Sequence, residues 1–142
     1  MALISEEVTG QLKEEFQKLV HPVRLAVFSQ ALADPESDQV RRLVEELGGL
    51  DPRLKAESYN FVLDAEKVKA LGIARIPAVA ILGENKDYGI RFYGLPSGYE
   101  FGSLIEAILD VSSGQSGLGE ETRAGLAALA HPVHLQVFST PT

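Results

Sequence analysis

The stretch HPVRLAVFS, His21 to Ser29, returns near the other end of the chain as HPVHLQVFS, His131 to Ser139. Seven of its nine positions are identical at a constant offset of 110. Leu19 and Leu129 carry the match upstream into what reads as the preceding helix. A period of this length is too long for a solenoid unit and close to the size of a small domain. A chain of 142 residues, 45% of them hydrophobic, can bury one ordinary core but not two of that size. The expected organisation is therefore one complete unit over residues 1–111 and a linker over 112–119. Residues 120–142 would then be the first helix and strand of a second, truncated copy.

Periodicity fills in the first unit. Ser5 can cap a helix whose apolar residues Val8, Leu12, Phe16 and Leu19 recur every three or four positions, and Pro22 marks its end. Val23 to Ser29 alternates as a strand. Asp34-Pro35-Glu36-Ser37 reads as a turn with Ser37 as the cap of the next helix, which carries Val40, Leu43, Val44 and Leu47 and stops at Gly48-Gly49. A strand over Lys55 to Leu63 and a short helix over Ala65 to Leu71 follow. Ala78 to Leu82 and Tyr88 to Tyr93 read as a hairpin turned by Gly83 to Asp87. A last helix over Glu100 to Val111 buries Phe101, Leu104, Ile105 and Ile108. After the Gly- and Ser-rich linker, Glu120 to Ala130 reads as a helix and Val133 to Ser139 as a strand. The order α-β-α-β-α-β-β-α, with early parallel crossovers and a late hairpin, implies an α/β fold with a small mixed sheet and helices on both faces.

Charge and residue types exclude several functions. The formal net charge is −7 with acids spread along the chain, which opposes a phosphate backbone, so no nucleic-acid partner is expected. No apolar run approaches the ~18 residues of a membrane span. Residues Met1 to Gln11 lack the pattern of a signal peptide. The expectation is a soluble, cytoplasmic chain without a membrane partner. There is no cysteine, which removes thiol nucleophiles, disulfides and thiolate metal sites together. No metal or cofactor is expected.

The unit resembles a thioredoxin or glutaredoxin fold, most specifically in YGIRFYGLPSGYEF, Tyr88 to Phe101, where the glutaredoxin-like protein disulfide oxidoreductases have an aromatic residue, glycine, a proline, glycine and then Glu-Phe entering the last helix. Arg75-Ile76-Pro77-Ala78 resembles their cis-proline loop. The whole chain is similar to the N-terminal unit of the tandem, glutaredoxin-like protein disulfide oxidoreductases. It is also similar to the N-terminal domain of the flavoprotein component of alkyl hydroperoxide reductase. This resemblance implies a thioredoxin-like fold with a mixed four-stranded sheet and a cis Ile76-Pro77 bond. It further implies a peptide groove bounded by Asp34, Pro35, Glu36, Ser37, Ile76 and Pro77. In that alignment Asp34 to Ser37 stands where a Cys-x-x-Cys would lie, and Phe138 to Thr142 resembles the residues that directly precede the second domain's motif. A carboxylate and a hydroxyl cannot exchange disulfides, which needs an attacking thiolate and a resolving thiol. The first unit of the peroxidase-reductase domain also lacks the motif.

Other chemistry finds little support in the residues. Asp34 and Glu36 lie two apart in a turn, the ordinary setting of solvated acids beside a helix dipole. Ser37 has no histidine near it in sequence to act as a base. His131 and His134 are separated by an odd interval, so on a strand their side chains point to opposite faces and do not share a metal. His21 and His131 precede prolines at helix-to-strand junctions, where capping or packing is the expected role. The reading is a redox-inactive thioredoxin-fold module, architectural or binding a protein or peptide partner. Its alternative is a thiol–disulfide oxidoreductase whose Cys-x-x-Cys lies in a second domain beyond residue 142. A homodimer formed through residues 118–142 is expected, because the half-copy otherwise exposes an apolar strand.

Overall fold

The computed structural model describes residues 1–30 and 35–140. Val23–Ser29 forms strand β1, whose side chains divide cleanly: Val23, Leu25 and Val27 point to one face, Arg24, Ala26 and Phe28 to the other. The remaining elements are helices α1 (Glu6–Glu15), α2 (Pro35–Gly48), α3 (Ala65–Ala70), α4 (Tyr99–Ser113) and α5 (Glu120–Ala127), with strands β2 (Leu54–Asn60), β3 (Ala78–Gly83) and β4 (Ile90–Tyr93). A short 3-10 turn, Phe16–Lys18, continues α1.

The four strands make one mixed sheet in the order β2-β1-β3-β4. β1 and β2 run parallel across the α2 crossover, while β3 is antiparallel to both β1 and β4. Residues opposite one another in a ladder share a face. The pairs Leu25 with Ile81 and Val27 with Val79 therefore build one core, and Ala26 with Ala80 and Phe28 with Ala78 build the other. The first core takes Phe16, Val40, Val44, Leu47, Leu104 and Ile108 from the helical side. The second is shallower, floored by three alanines, and is closed by Ile73, Val68 and Leu71 of and beside α3. Phe28 and Tyr59 stack there at 5.2 Å between ring centroids. Every residue of β3 is buried, as expected of a strand flanked on both edges and covered on both faces.

The Ser5 hydroxyl caps α1 as its sequence suggests, accepting the Val8 N–H at 3.3 Å. Elsewhere the element ends differ, each for a local reason. Helix α2 starts at Pro35, a residue suited to a first turn because it has no N–H to leave unpaired, so Ser37 lies inside the helix and is buried rather than capping it. Strand β2 stops at Asn60 instead of running to Leu63. The Asn60 side-chain oxygen accepts the N–H groups of Val62 and Leu63, both at 2.9 Å, and folds the chain into a turn. Strand β4 begins at Ile90, because Asp87 accepts the Gly89 N–H at 2.8 Å and holds the hairpin end open. Helix α4 runs on to Ser113, so Ser112 belongs to its last turn and is fully buried. Helix α5 forms, ending at Ala127, but residues 133–139 join no ladder among the described residues and are exposed. Without a neighbour to take its backbone groups, an alternating pattern does not become a strand. No helix of the described residues is long and apolar enough to cross a membrane.

Candidate functional site

The parts of the expected groove come from three places in the sequence, and the loop between β4 and α4 joins them. Pro77 ends the loop after α3; the Ile76-Pro77 peptide bond is cis. The Gly94 N–H donates to the Pro77 carbonyl at 2.9 Å. The next residue, Leu95, donates its N–H to the Glu36 carboxylate at 3.3 Å, in the first turn of α2. Gly94 sits at φ 81°, where a side chain is strained, so glycine is what lets the loop turn from one partner to the other. Glu36, Leu95, Gly94 and Pro77 thus form one continuous line across the end of the sheet. The Glu36 carboxylate also stands at the positive end of the α2 dipole.

Ile76 occupies the middle of this edge. It is half-buried and packs on the second core, while its amide and carbonyl make no hydrogen bond among the described residues. Its neighbours are held in place. The Ala74 N–H donates to the Tyr93 hydroxyl at 3.2 Å, and the exposed Arg75 guanidinium lies 4.4 Å over the Tyr93 ring. Pro35 and Glu36 are exposed at the rim, Pro77 is buried against the sheet, and Ser37 is buried beneath the helix terminus. Asp34 lies outside the described residues. The edge therefore offers backbone donors and acceptors and a flanking acid and base, but no thiol. Among the described residues no cluster of His, Asp and Glu could hold a metal ion.

Sequence reasoning missed a neighbouring feature. An apolar groove of about 470 Å³ runs behind Leu95, lined by Leu3, Ile4, Val8, Leu43 and Phe101. Its wall exists because the Glu46 carboxylate takes the N–H groups of Leu3 and Ile4 at 2.7 and 2.9 Å and pins the N-terminal arm against α2. The only sequence signal is the apolar pair Leu3-Ile4 ahead of the Ser5 cap.

A second polar cluster lies on the α3 side of the sheet. Arg24 on β1 makes a paired bond to Glu57 on β2, at 2.7 and 2.9 Å, and the Tyr59 hydroxyl donates to the same carboxylate at 2.9 Å. The Arg24 guanidinium, with help from Tyr59, holds the Glu57 carboxyl below the ordinary glutamate range. Burial and the neighbouring carboxylate push the Tyr59 hydroxyl up. These groups satisfy one another, so the cluster pins two strands and leaves no residue poised to react.

Sheet order, the helices on both faces and the cis-proline loop beside the first turn of α2 together define a thioredoxin-like fold. A thioredoxin from Fasciola hepatica superposes with a TM-score of 0.52 at 13% identity, over 68% of this chain and 90% of its own. Within that class, the chain is similar to the NTD_N/C domain of the alkyl hydroperoxide reductase AhpF from Enterococcus faecalis. That domain has a TM-score of 0.79 and 31% identity, over 89% of this chain and 61% of its own. A protein disulfide oxidoreductase from Aeropyrum pernix gives 0.78 and 29%, over 88% and 55%. Among curated proteins, the corresponding alkyl hydroperoxide reductase component of Staphylococcus epidermidis is 27% identical over 95% of this chain. A protein of Ferdinandcohnia aciditolerans named NADH dehydrogenase is 30% identical over 78% of it. The chain spans 25% and 18% of these two relatives' own lengths. No family model matches it.

Proposed function

We propose that this chain is a redox-inactive thioredoxin-fold module that binds an extended segment of a partner protein along the edge formed by Ile76, Pro77, Gly94, Leu95 and the first turn of α2. One observation carries the reading: the Ile76 amide and carbonyl have no hydrogen-bond partner among the described residues, at the point where β3 begins. A peptide lying across them as a short extra strand satisfies both groups. Arg75 and Glu36, both exposed, flank that line with opposite charges.

The redox-inactive half of the reading rests on composition. A chain without cysteine has no thiolate to open a disulfide and no second thiol to resolve the product. Insulin reduction driven by dithiothreitol should run at the rate of the reagent alone when this chain is added. A rise above that blank refutes it. The binding half is tested with carboxymethylated insulin B chain, which is extended and cannot exchange disulfides. Titrated into ¹⁵N-labelled protein, it should move the amide signals of Ile76, Gly94, Leu95 and Glu36. Shifts confined to other surfaces, or none at millimolar peptide, would sink the groove.

A second reading is favoured by the lengths of the relatives, which exceed this chain several-fold. In it, the module serves a longer thiol–disulfide oxidoreductase whose Cys-x-x-Cys lies beyond residue 142. Reading the gene past the codon for Thr142 separates the two at once: a downstream Cys-x-x-Cys supports the second reading, and a stop codon removes it.

A further inference from the structure

Most arginines of this chain hold an acceptor. Arg24, Arg41, Arg53 and Arg91 each hold a carboxylate, and Arg42 holds the Met1 carbonyl. Arg75 differs. Its guanidinium lies 4.4 Å over the Tyr93 ring and makes no hydrogen bond or ion pair among the described residues, although the chain has 20 acidic to 13 basic residues. The ring beneath it is fixed in turn, because the Tyr93 hydroxyl accepts the Ala74 N–H at 3.2 Å. The result is a cation positioned by an aromatic face, with its fork of N–H donors open to solvent. It stands one residue before Ile76, whose backbone groups are unpaired.

An anion stands at the far end of the same edge. Glu36 uses Oε1 for the Leu95 N–H at 3.3 Å, while its Oε2 has no partner among the described residues. Between the two charges the backbone offers little else to bind. Pro77 has no N–H and its carbonyl is taken by Gly94, and on the other side the Ala74 N–H is taken by Tyr93. Ile76 therefore presents an isolated N–H and carbonyl. In antiparallel pairing a single partner residue takes both groups, whereas in parallel pairing they go to two residues that flank a third. An antiparallel segment thus has one residue fixed where a parallel one has three, and each fixed residue costs backbone entropy.

From these observations we infer that the edge reads the charge order of its partner: it takes an extended segment antiparallel to Arg75–Pro77, with an acidic residue on the C-terminal side of the residue paired with Ile76 and a basic residue on the N-terminal side. Direction follows from the pairing. The C-terminal continuation of such a segment passes Arg75, whose fork can hold a carboxylate through two N–H groups. Its N-terminal part passes Pro77 and Gly94 to reach Leu95 and Glu36, whose unused oxygen accepts from an ammonium or guanidinium. The inference rests on the peptide-binding reading above and adds to it a direction and a charge pattern. Net charge does not produce such a preference, since a chain at −7 attracts any basic segment whatever the order of its residues.

Two peptides of one composition test it. Both carry a central Val-Thr-Val; one has a pair of lysines before it and a pair of glutamates after it, and the other has these charges exchanged. Their equal net charge cancels long-range attraction. Each is titrated into the ¹⁵N-labelled full chain, with the Ile76 amide signal as the readout. The lysine-first peptide should bind more tightly by roughly 5- to 20-fold, since an exposed ion pair contributes up to a factor of ~5 and the exchanged peptide meets like charges at both ends. The preference should fall toward unity in about 0.5 M salt. Arg75→Glu, a change at an exposed side chain, should bring the two affinities to within about 2-fold of each other. Equal affinities for the wild-type chain, tighter binding of the glutamate-first peptide, or a preference unchanged by Arg75→Glu would each overturn the charge order while leaving the groove in place, because the Ile76 amide still moves. If neither peptide moves that amide, the groove itself is lost and this inference with it.

Discussion

One hydroxyl ties the end of α4 to the entrance of β1. Ser112, fully buried, accepts the N–H groups of Val20 and His21 at 2.8 and 3.1 Å and donates to the His21 carbonyl at 2.8 Å. The His21 N–H also donates to the Ser112 carbonyl at 3.3 Å, so the groups that depend on the hydroxyl are the Val20 N–H and the His21 carbonyl. Ser112→Ala should therefore cost about 1–3 kcal/mol, the usual penalty for leaving buried polar groups unpaired. Urea unfolding reads this directly, and a change below half a kcal/mol would mean that water replaces the hydroxyl. Acid stability belongs to the same scale. The Glu57 carboxyl is held low by Arg24, as Asp51 is by Arg53 and Asp87 by Arg91. A group whose folded pKa is depressed contributes stability above its unfolded pKa, which for glutamate is about 4.3, and loses it as pH falls through the folded pKa. The unfolding midpoint should thus decline below about pH 4.3, and Glu57→Gln should flatten that decline while lowering stability at neutral pH. An acid limb identical in the two proteins would assign the loss to other groups.

At the scale of elements, the contact between α2 and β2 turns on Gly48. A Cβ placed there would lie 2.8 Å from the Ala56 Cβ and 3.1 Å from the Ala56 nitrogen. Helix propensity alone favours alanine over glycine by roughly 1 kcal/mol. Overpacking against a backbone atom that cannot give way typically costs ~1–3 kcal/mol, so packing should win and Gly48→Ala should destabilise the fold. A rise in the melting temperature would show that α2 slides to make room. The same helix shows what the sequence could and could not reveal. Its buried stripe, Val40, Leu43, Val44 and Leu47, is legible because 3.6-residue periodicity is a local signal. Its start is not, because Ser37 looks like a cap, whereas the helix begins two residues earlier at Pro35, which has no N–H to leave unpaired. Likewise, alternation identifies β2 but not its end, which a single Asn60 side chain decides by taking two N–H groups. The groove edge is legible only through the resemblance of Arg75 to Ala78 and Tyr88 to Phe101 to known families. The bonds that assemble it, Leu95 to Glu36 and Gly94 to Pro77, join residues 59 and 17 positions apart, and no pattern along the chain encodes them.

For the whole molecule, the two cores define what must stay together. Among the described residues neither contains one beyond Val111, and α5 buries none of its own side chains. Among the described residues, Arg123 of α5 lines a surface cleft together with Tyr88, Asp110, Gly114 and Ser116. Surface groups of this kind usually contribute within ±0.5 kcal/mol. A chain ending at Ser116 should therefore unfold in urea with a midpoint and slope matching those of the first unit in the full-length protein. A truncated chain that melts earlier or loses cooperativity at concentrations where the full chain is monomeric would mean that the second copy of the repeat braces the first, and that its exposure in a single chain understates what it does for stability.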